Sequence, residues 1–307
     1  MSQLPSFAGF APLSRRRKDD LIRRAFLAAA LLSIVTLSLI MVFLFIEGLP
    51  IFREVSLTGF VFGKLWYPTF DPPEYGILPM IMGSLTVTVL SSLIAIPLGI
   101  MTAIYLAEIA SRPVRNVAKP MVEMLQALPS VVIGFFGMVV VAPWLQEHFD
   151  IATGLNIMNA AVMLAFMAVP TITSIAEDAI YSVPGDLREA SLALGATRWQ
   201  TIARVVVPAA LPGISTAVIL GMARSIGETM VVLMVAGGAA MIPGSIFDPV
   251  RPMPASIAAE MAEAPFRSGH YHALFATGLV LFMFTLAFNV LAAWISEKKK
   301  QVGTATL

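Results

Sequence analysis

Two charged residues stand four positions apart inside a long apolar segment, residues 210–238. If this segment is a helix, Arg224 and Glu228 project from the same face, because residues four apart are neighbours on a helix surface. An arginine at mid-membrane costs at least about 2.5 kcal/mol, so it is expected to face a bundle interior or an aqueous cavity and to have a partner. Its planar, permanently charged fork suits a tetrahedral oxyanion. The pair therefore predicts a gate for an anionic solute.

Glu228 allows several interpretations. A carboxylate beside the arginine prevents the site from holding an anion too tightly, since transit requires binding weak enough for release. It can also accept a hydrogen bond from a protonated phosphate, which fully deprotonated sulfate cannot donate. One alternative is a structural ion pair, in which Arg224 and Glu228 hold this helix against a neighbouring helix. Another is a proton carrier in a secondary transporter, which would act without other subunits.

The composition is that of a polytopic membrane protein. Of 307 residues, 58% are hydrophobic and 13% charged, against about 25% charged in soluble domains, and the mean hydropathy is +0.84. A net charge of +1 gives no indication of a nucleic-acid partner. The absence of cysteine excludes thiol catalysis and thiolate metal sites.

The apolar runs predict an all-α protein with six membrane spans, each long enough for a hydrocarbon core of about 30 Å. The predicted spans are 25–46, 79–107, 121–141 (broken near Pro129), 158–181, 210–238 and 272–294. Residues 1–24 are expected to form a mobile tail, 47–78 an ordered loop that joins the first two spans, 144–157 a short loop, and 297–307 a second tail.

The distribution of positive charge predicts the orientation. Fifteen of the 20 Lys and Arg residues lie on the side that holds both termini, four lie on the other side, and Arg224 lies inside a span. Because positive charge marks the cytoplasmic side, both termini are predicted to be cytoplasmic, and the membrane itself is the expected lipid partner.

A polar stretch at 186–208 interrupts the apolar runs on the cytoplasmic side. The pattern predicts a helix over 186–193 that stops at Gly195 and a second helix over 199–207 that ends at Pro208. A bare connection between spans could be much shorter, so we interpret this stretch as a handle for another protein. Glu177 and Asp178, just before it, are expected to pair with Arg188 or Arg204, or to be solvated.

Several kinds of site are not indicated. The chain lacks a G-x-x-x-x-G-K-[ST] phosphate-binding loop, so it is not expected to hydrolyse ATP, and ATP and Mg²⁺ would bind a separate chain. The spans hold no Ser/His or His/Asp arrangement with catalytic spacing and no H-E-x-x-H, so an intramembrane enzyme is not expected. His270 and His272 lack further ligands, and no metal or cofactor is expected on this chain.

The polar stretch resembles the EAA loop of ABC importer permeases. The matching positions are Glu189-Ala190-Ser191, Gly195 after three intervening residues, and Val205-x-Val207-Pro208. Ser191 replaces the usual second alanine, and Val205 and Val207 replace Ile and Leu. The resemblance implies that this loop, including Arg188, is a coupling helix that docks into the ATP-binding subunit.

Longer stretches are similar to the C-type permease subunits of Pst phosphate importers. They include LWYPTFDPPEYGILPMIMGSL, ALPSVVIGFFGMVV and ARSIGETMVVLMVAGG. The resemblance implies a MetI-like domain over 79–296 with the first span as a peripheral addition, and a phosphate path that includes Arg224, Glu228 and Thr229. The implied partners are an A-type permease, two ATP-binding subunits and an extracytoplasmic phosphate-binding protein at a bacterial inner membrane. A permease for another oxyanion remains the alternative.

Overall fold

The computed structural model describes residues 13–304, except the side chains of 13–18, 291–292 and 295–304. The regular secondary structure of the described chain is helical, apart from one small hairpin of β1 (Trp66–Tyr67) and β2 (Glu74–Tyr75). The helices are α1 (Leu13–Gly48), α2 (Leu57–Phe62), α3 (Leu78–Ile104), α4 (Arg112–Gln126), α5 (Ser130–Phe136), α6 (Ala142–Phe149), α7 (Ile157–Tyr181), α8 (Gly185–Ala193), α9 (Arg198–Thr201), α10 (Val207–Ile226), α11 (Met230–Val235), α12 (Met253–Glu260) and α13 (Gly269–Thr304). Turns of π-helix extend α3 and connect α5 to α6 and α9 to α10.

Six helical segments of the described chain are long and apolar enough to cross a membrane, as predicted. Four of them coincide closely with the predicted spans, although the first and last helices extend further at the termini. The segments are Asp19–Arg53, Leu78–Ile109, Ser130–Phe149, Ile157–Tyr181, Arg198–Ile226 and Gly269–Val290. The predicted tail is helical from Leu13 onward, and residues 1–12 lie outside the described residues.

The third span is shifted from its predicted place. Pro129 separates two helices, as predicted, but the apolar span is Ser130–Phe149 rather than 121–141. Residues 121–126 belong instead to the amphipathic helix α4, whose polar residues face α7. Proline at 129 fixes an extended backbone and starts the new helix, so the apolar run is divided at this point.

The fifth span differs more. The predicted helix end at Pro208 is wrong, because the helix runs without interruption from Arg198 to Ile226. Proline lacks an N–H, but it occupies the second position of α10, immediately after a π-helical turn in which Val207 N–H donates to Ile202 O. The wider turn carries the hydrogen-bond ladder past the proline. The span also ends earlier than predicted, at Ile226, which is twelve residues before position 238.

Helix α7 is the centre of the bundle and lies between α3 and α10. In the most apolar segment of α7, 67% of the residues are buried, whereas in that of the first span 0% are buried. The first span packs at the periphery, against α13. Ile172 of α7 is packed between Gly99 of α3 and Gly221 of α10. A Cβ at either glycine would lie within 2.7 Å of the Ile172 side chain, so the close approach of the three helices requires glycine at both positions.

The loop between the first two spans is ordered, as predicted. Its β1–β2 hairpin places Trp66 opposite Tyr75, and both side chains are buried with Phe60. Trp66 Nε1 donates to Glu260 Oε2 (2.9 Å), and His270 Nε2 lies 2.8 Å from the same carboxylate oxygen, while Arg251 also pairs with Glu260. We call this side of the bundle the hairpin end, and the opposite side the α8 end.

Candidate functional site

The helix that carries Arg224 ends before Glu228. Arg224 lies in the last turn of α10, Ile226 is its final residue, and α11 begins at Met230. Gly227 N–H donates to Ala223 O (3.3 Å), closing the final turn. The expectation that Arg224 and Glu228 share one face near the middle of a continuous helix is therefore wrong. The glycine ends the helix between them, a local signal that the apolar run conceals.

Arg224 is half-buried. Within the described residues it forms neither an ion pair with Glu228 nor a hydrogen bond through its side chain. Its position in the last turn of α10 is favourable, since the C-terminal end of a helix dipole attracts cations. In a membrane-spanning segment, a guanidinium still requires further compensation from a partner.

Glu228 is also half-buried, and its carboxylate bonds to the chain that follows. Oε1 accepts a hydrogen bond from the Val231 N–H at 3.3 Å, in the first turn of α11. Thr229 Oγ1 donates to Gly227 O at 3.4 Å. The three predicted path residues therefore cluster at one helix break, with the cation before it and the carboxylate and hydroxyl after it.

Hydroxyl groups of α3 lie beside this break, although they are not among the site residues predicted from the sequence. Ser84 and Thr88 line a small crevice together with Ser225 of α10 and Glu228. Ser84, Thr88 and Ser225 are buried. The signal was present in the sequence, because Ser84 and Thr88 are four residues apart inside an apolar run and therefore share one helix face.

The loop between α8 and α9 has a well-defined turn. Gly195 stops α8, as predicted, with a φ of +83°. Gly195 N–H donates to Leu192 O (2.9 Å) and Ala196 N–H to Ser191 O (3.3 Å), which is a Schellman motif. Ser191 Oγ lies 2.9 Å from Thr201 Oγ1 and joins the two arms of the loop. The motif favours a single loop geometry, which is what a docking element needs.

Arg188 is directed into the protein rather than away from it. Its Nη2 donates to Glu108 Oε1 at 2.6 Å and to Ile180 O at 3.0 Å, and its Nη1 donates to Val183 O. Glu108 belongs to the π-helical turn at the end of α3. Arg188 therefore joins α8 to α3 and α7, and has few donors left for a partner subunit.

The outward surface of the loop is partly apolar. Leu194 is 90% exposed and Trp199 is 66% exposed. Glu189 and Ala190 are exposed beside them, and Pro208 is exposed further along the helix. Leu194 and Trp199 were not among the predicted coupling residues, because sequence alone does not tell which apolar residues of a loop are turned outward.

Glu177 and Asp178 have partners other than those expected. Glu177, which is fully buried, pairs with Arg115 and Lys119 of α4, and Asp178 also pairs with Lys119. The expectation that they pair with Arg188 or Arg204 is wrong, because α4 packs against the last turns of α7. Burial alone would lower the pKa of Lys119, but its hydrogen bonds to Asp178 and Glu177 raise that pKa above the usual value.

These features define a class of protein. Six membrane-spanning helices form a bundle that contains a charged helix break. An ordered, partly apolar loop lies exposed at one end of the bundle. Such an arrangement is that of an integral membrane permease.

Comparison with known proteins identifies the family. Residues 95–301 match the family described as "Binding-protein-dependent transport system inner membrane component", so the chain belongs to this family. It is 41% identical to the probable ABC transporter permease protein YqgH of Bacillus subtilis (strain 168), over 93% of each chain. It is 33% identical to the phosphate transport system permease protein PstC of Mesorhizobium japonicum, over 92% of this chain and 94% of that one.

Solved structures give the same fold. A bacterial ABC transporter for import of the acidic polysaccharide alginate superposes with a TM-score of 0.61 at 18% identity, covering 92% of this chain and 99% of that one. The MetNI methionine ABC transporter, in an inward-facing conformation, gives a TM-score of 0.58 at 19% identity, covering 72% and 95%. The protein is therefore a permease of an ABC importer with the MetI-like fold, as the EAA-loop resemblance implied. Its family is one of transport-system membrane components, so a secondary transporter is not supported.

Proposed function

We propose that this chain is the C-type permease subunit of an ATP-driven importer of inorganic phosphate. The observation that carries the proposal is the partnerless guanidinium of Arg224 at the helix break, within the part of the chain described. A half-buried cation in a span requires an anionic partner, and a transported oxyanion supplies one during each cycle. PstC proteins are among its relatives, at 29–33% identity over most of the chain.

Glu228 favours a protonated oxyanion over a fully deprotonated one. Its carboxylate is held near the break by Val231 N–H and retains acceptor capacity for a phosphate hydroxyl. Its negative charge also offsets that of Arg224, so the solute is not held too tightly to leave. Thr229, in the same turn, adds a hydroxyl to the path.

The mechanism we propose is alternating access. A loaded extracytoplasmic binding protein docks at the hairpin end, an A-type permease supplies the other half of the path, and two ATP-binding subunits bind the α8 end. ATP and Mg²⁺ bind those subunits, and their closure moves the coupling loop, with Arg188, Glu189, Ala190, Ser191, Gly195 and Pro208 as its predicted residues. The excess of Lys and Arg at the α8 end makes that end and both termini cytoplasmic.

Phosphate uptake and ATP hydrolysis in the reconstituted complex test the proposal. We expect Arg224→Gln to abolish phosphate uptake while the complex still assembles and hydrolyses ATP. The matched control is Arg23→Gln, on the exposed surface of α1, which should transport normally. Normal uptake by Arg224→Gln would contradict the proposal.

A permease for another oxyanion is the second candidate, since the Bacillus subtilis relative is described only as a probable ABC permease. Uptake by the wild-type complex with its own binding protein should be measured with phosphate and with sulfate. We expect transport of phosphate alone. Transport of sulfate without phosphate would favour the second candidate.

A further inference from the structure

A small polar crevice lies directly beside Glu228. Hydroxyl residues of α3 and α10 line one part of it, and apolar residues of α3, α7, α10 and α11 close the rest. The lining residues are Ser84, Val87, Thr88, Leu164, Ser225, Ile226, Glu228, Val232 and Pro252. Its free volume is about 10 Å³, which is close to the minimum that one water molecule occupies.

Thr88 is a buried residue whose hydroxyl oxygen is not fully enclosed. The residue is 5% exposed, and among the described residues no hydrogen bond involves its Oγ1. Its backbone carbonyl is used separately, because it accepts the hydroxyls of Ser91 and Ser92. A hydroxyl that has no protein partner but stays open to a solvent molecule, on a residue that lines a crevice of this size, points to a bound water.

The other polar groups of the crevice retain unused hydrogen-bonding capacity. Ser84 Oγ accepts from the Met253 N–H at 2.9 Å, which leaves its own proton available to donate. Ser225 Oγ donates to Gly221 O at 3.3 Å, which leaves its lone pairs available to accept. With the Glu228 carboxylate and Thr88 they supply the two to four partners that a buried water requires.

The geometry points to a binding site for one ordered water that links Thr88 to Glu228. The water accepts a hydrogen bond from Thr88 Oγ1 or Ser84 Oγ and donates to the Glu228 carboxylate. Thr88 is then a positioning residue, which holds the carboxylate through the water and couples the helix break to α3. Only the consequence for transport rests on the proposed function, since the water site itself follows from the crevice.

A double-mutant cycle in the purified complex tests the link. Thr88→Val keeps the shape of the side chain and removes the hydroxyl, and we expect it to lower Tm by about 2–4 °C. In a Glu228→Leu background the same change should lower Tm by less than about 1 °C, because the crevice no longer holds a charged partner for the water. Thr88→Ser keeps a hydroxyl at this position, so the coupling in Tm between this position and Glu228 should be retained.

The control is Thr86→Val, two residues along the same helix. Thr86 Oγ1 donates to Met82 O at 2.8 Å, and the residue lines a different, apolar groove. Its effect on Tm should be the same in both backgrounds. If the Thr88→Val shift is also the same in both backgrounds, the hydroxyl acts independently of Glu228, and the inference is overturned.

Phosphate uptake gives a second readout. Thr88→Val should lower the maximal rate about three- to tenfold, whereas Thr88→Ser and Thr86→Val stay within about twofold of wild type. If the wild-type complex takes up no phosphate but the coupling in Tm persists, the proposed function fails and the water site stands. If uptake by wild type is normal but the coupling in Tm is absent, the water site alone fails.

Discussion

Arg188 Nη2 lies 2.6 Å from Glu108 Oε1, so α8 is bonded directly to the π-helical turn that extends α3. Two further hydrogen bonds join the same guanidinium to the end of α7, at the carbonyls of Ile180 and Val183. These two helices form much of the core, and α3 also carries the hydroxyls beside Glu228. We therefore expect a displacement of α8 to move the helices that surround the helix break.

Removal of this link should destabilise the permease and weaken coupling. Arg188→Gln leaves the Glu108 carboxylate, 11% exposed, without its cation. Fully buried pairs lose about 3–5 kcal/mol on such a change, and we expect about 2 kcal/mol here because both side chains keep some contact with solvent. Thermal unfolding and the ratio of phosphate taken up to ATP hydrolysed measure the two effects.

The matched control for that variant is Arg198→Gln. A cavity of about 150 Å³ is lined by Arg198 together with Arg188 and Glu108. Arg198 has no ion pair within the described chain. Its substitution should change neither Tm nor coupling. Equal behaviour of the two variants would mean that the Arg188–Glu108 pair transmits nothing.

Glu177 should be essential for holding α4 against α7. Glu177→Gln leaves Arg115 and Lys119 facing an uncharged buried side chain, and we expect a loss of about 3 kcal/mol in the free energy of unfolding. The control Glu123→Gln, on the exposed face of α4, should change it by less than about 0.5 kcal/mol. Trypsin should also cleave α4 faster in the first variant. Equal cleavage of both variants would contradict this role.

The Lys119 cluster should make stability depend on alkaline pH. The folded-state pKa of Lys119 is raised above its ordinary value of 10.5, so folding retains a proton that the unfolded chain releases. The stabilisation is complete below pH 10.5 and is lost as the pH rises through the folded pKa. The test is the decrease in Tm above pH 10.5, which should be smaller in Lys119→Arg than in wild type.

Tyr75 contributes a change of the same sign at the hairpin end. Burial, with the charge of Glu54, raises the pKa of its hydroxyl above 10.0, so stability also falls as the pH passes the value of the unfolded chain. Tyr75→Phe removes this contribution and separates it from that of Lys119. An alkaline decrease unchanged in Lys119→Arg would contradict the assignment to α4.

The exposed apolar residues of the loop should bind the ATP-binding subunit. Leu194→Asp and Trp199→Ala are each expected to weaken its association at least about tenfold, because exposed apolar side chains at the centre of an interface contribute most of its affinity. Co-purification and ATP hydrolysis by the complex measure the loss. The control Phe266→Ser changes a residue that is 75% exposed at the hairpin end. Association unaffected by both loop variants would refute this docking surface.

The sequence by itself determined the number of spans, the presence of an ordered loop between the first two spans, and the stop at Gly195. These features depend on local properties, since a span requires an apolar run of sufficient length and a left-handed helix end favours glycine. The family could also be recognised, because the EAA-like loop and the RSIGET stretch occupy short contiguous segments. The charged residues Arg224, Glu228, Glu177 and Asp178 could be chosen as candidates because they lie inside or beside apolar runs.

Only the tertiary structure decided which charges meet. Glu108 and Arg188 are 80 positions apart, and Glu177 bonds to a helix about 60 positions earlier. Such pairings depend on how α3, α4 and α7 pack, and no local pattern specifies that packing. The end of α10 at Gly227 and the passage of its helix through Pro208 also depend on hydrogen bonds available in the folded chain. The hydroxyls of Ser84 and Thr88 lie beside Glu228 because α3 packs against the end of α10.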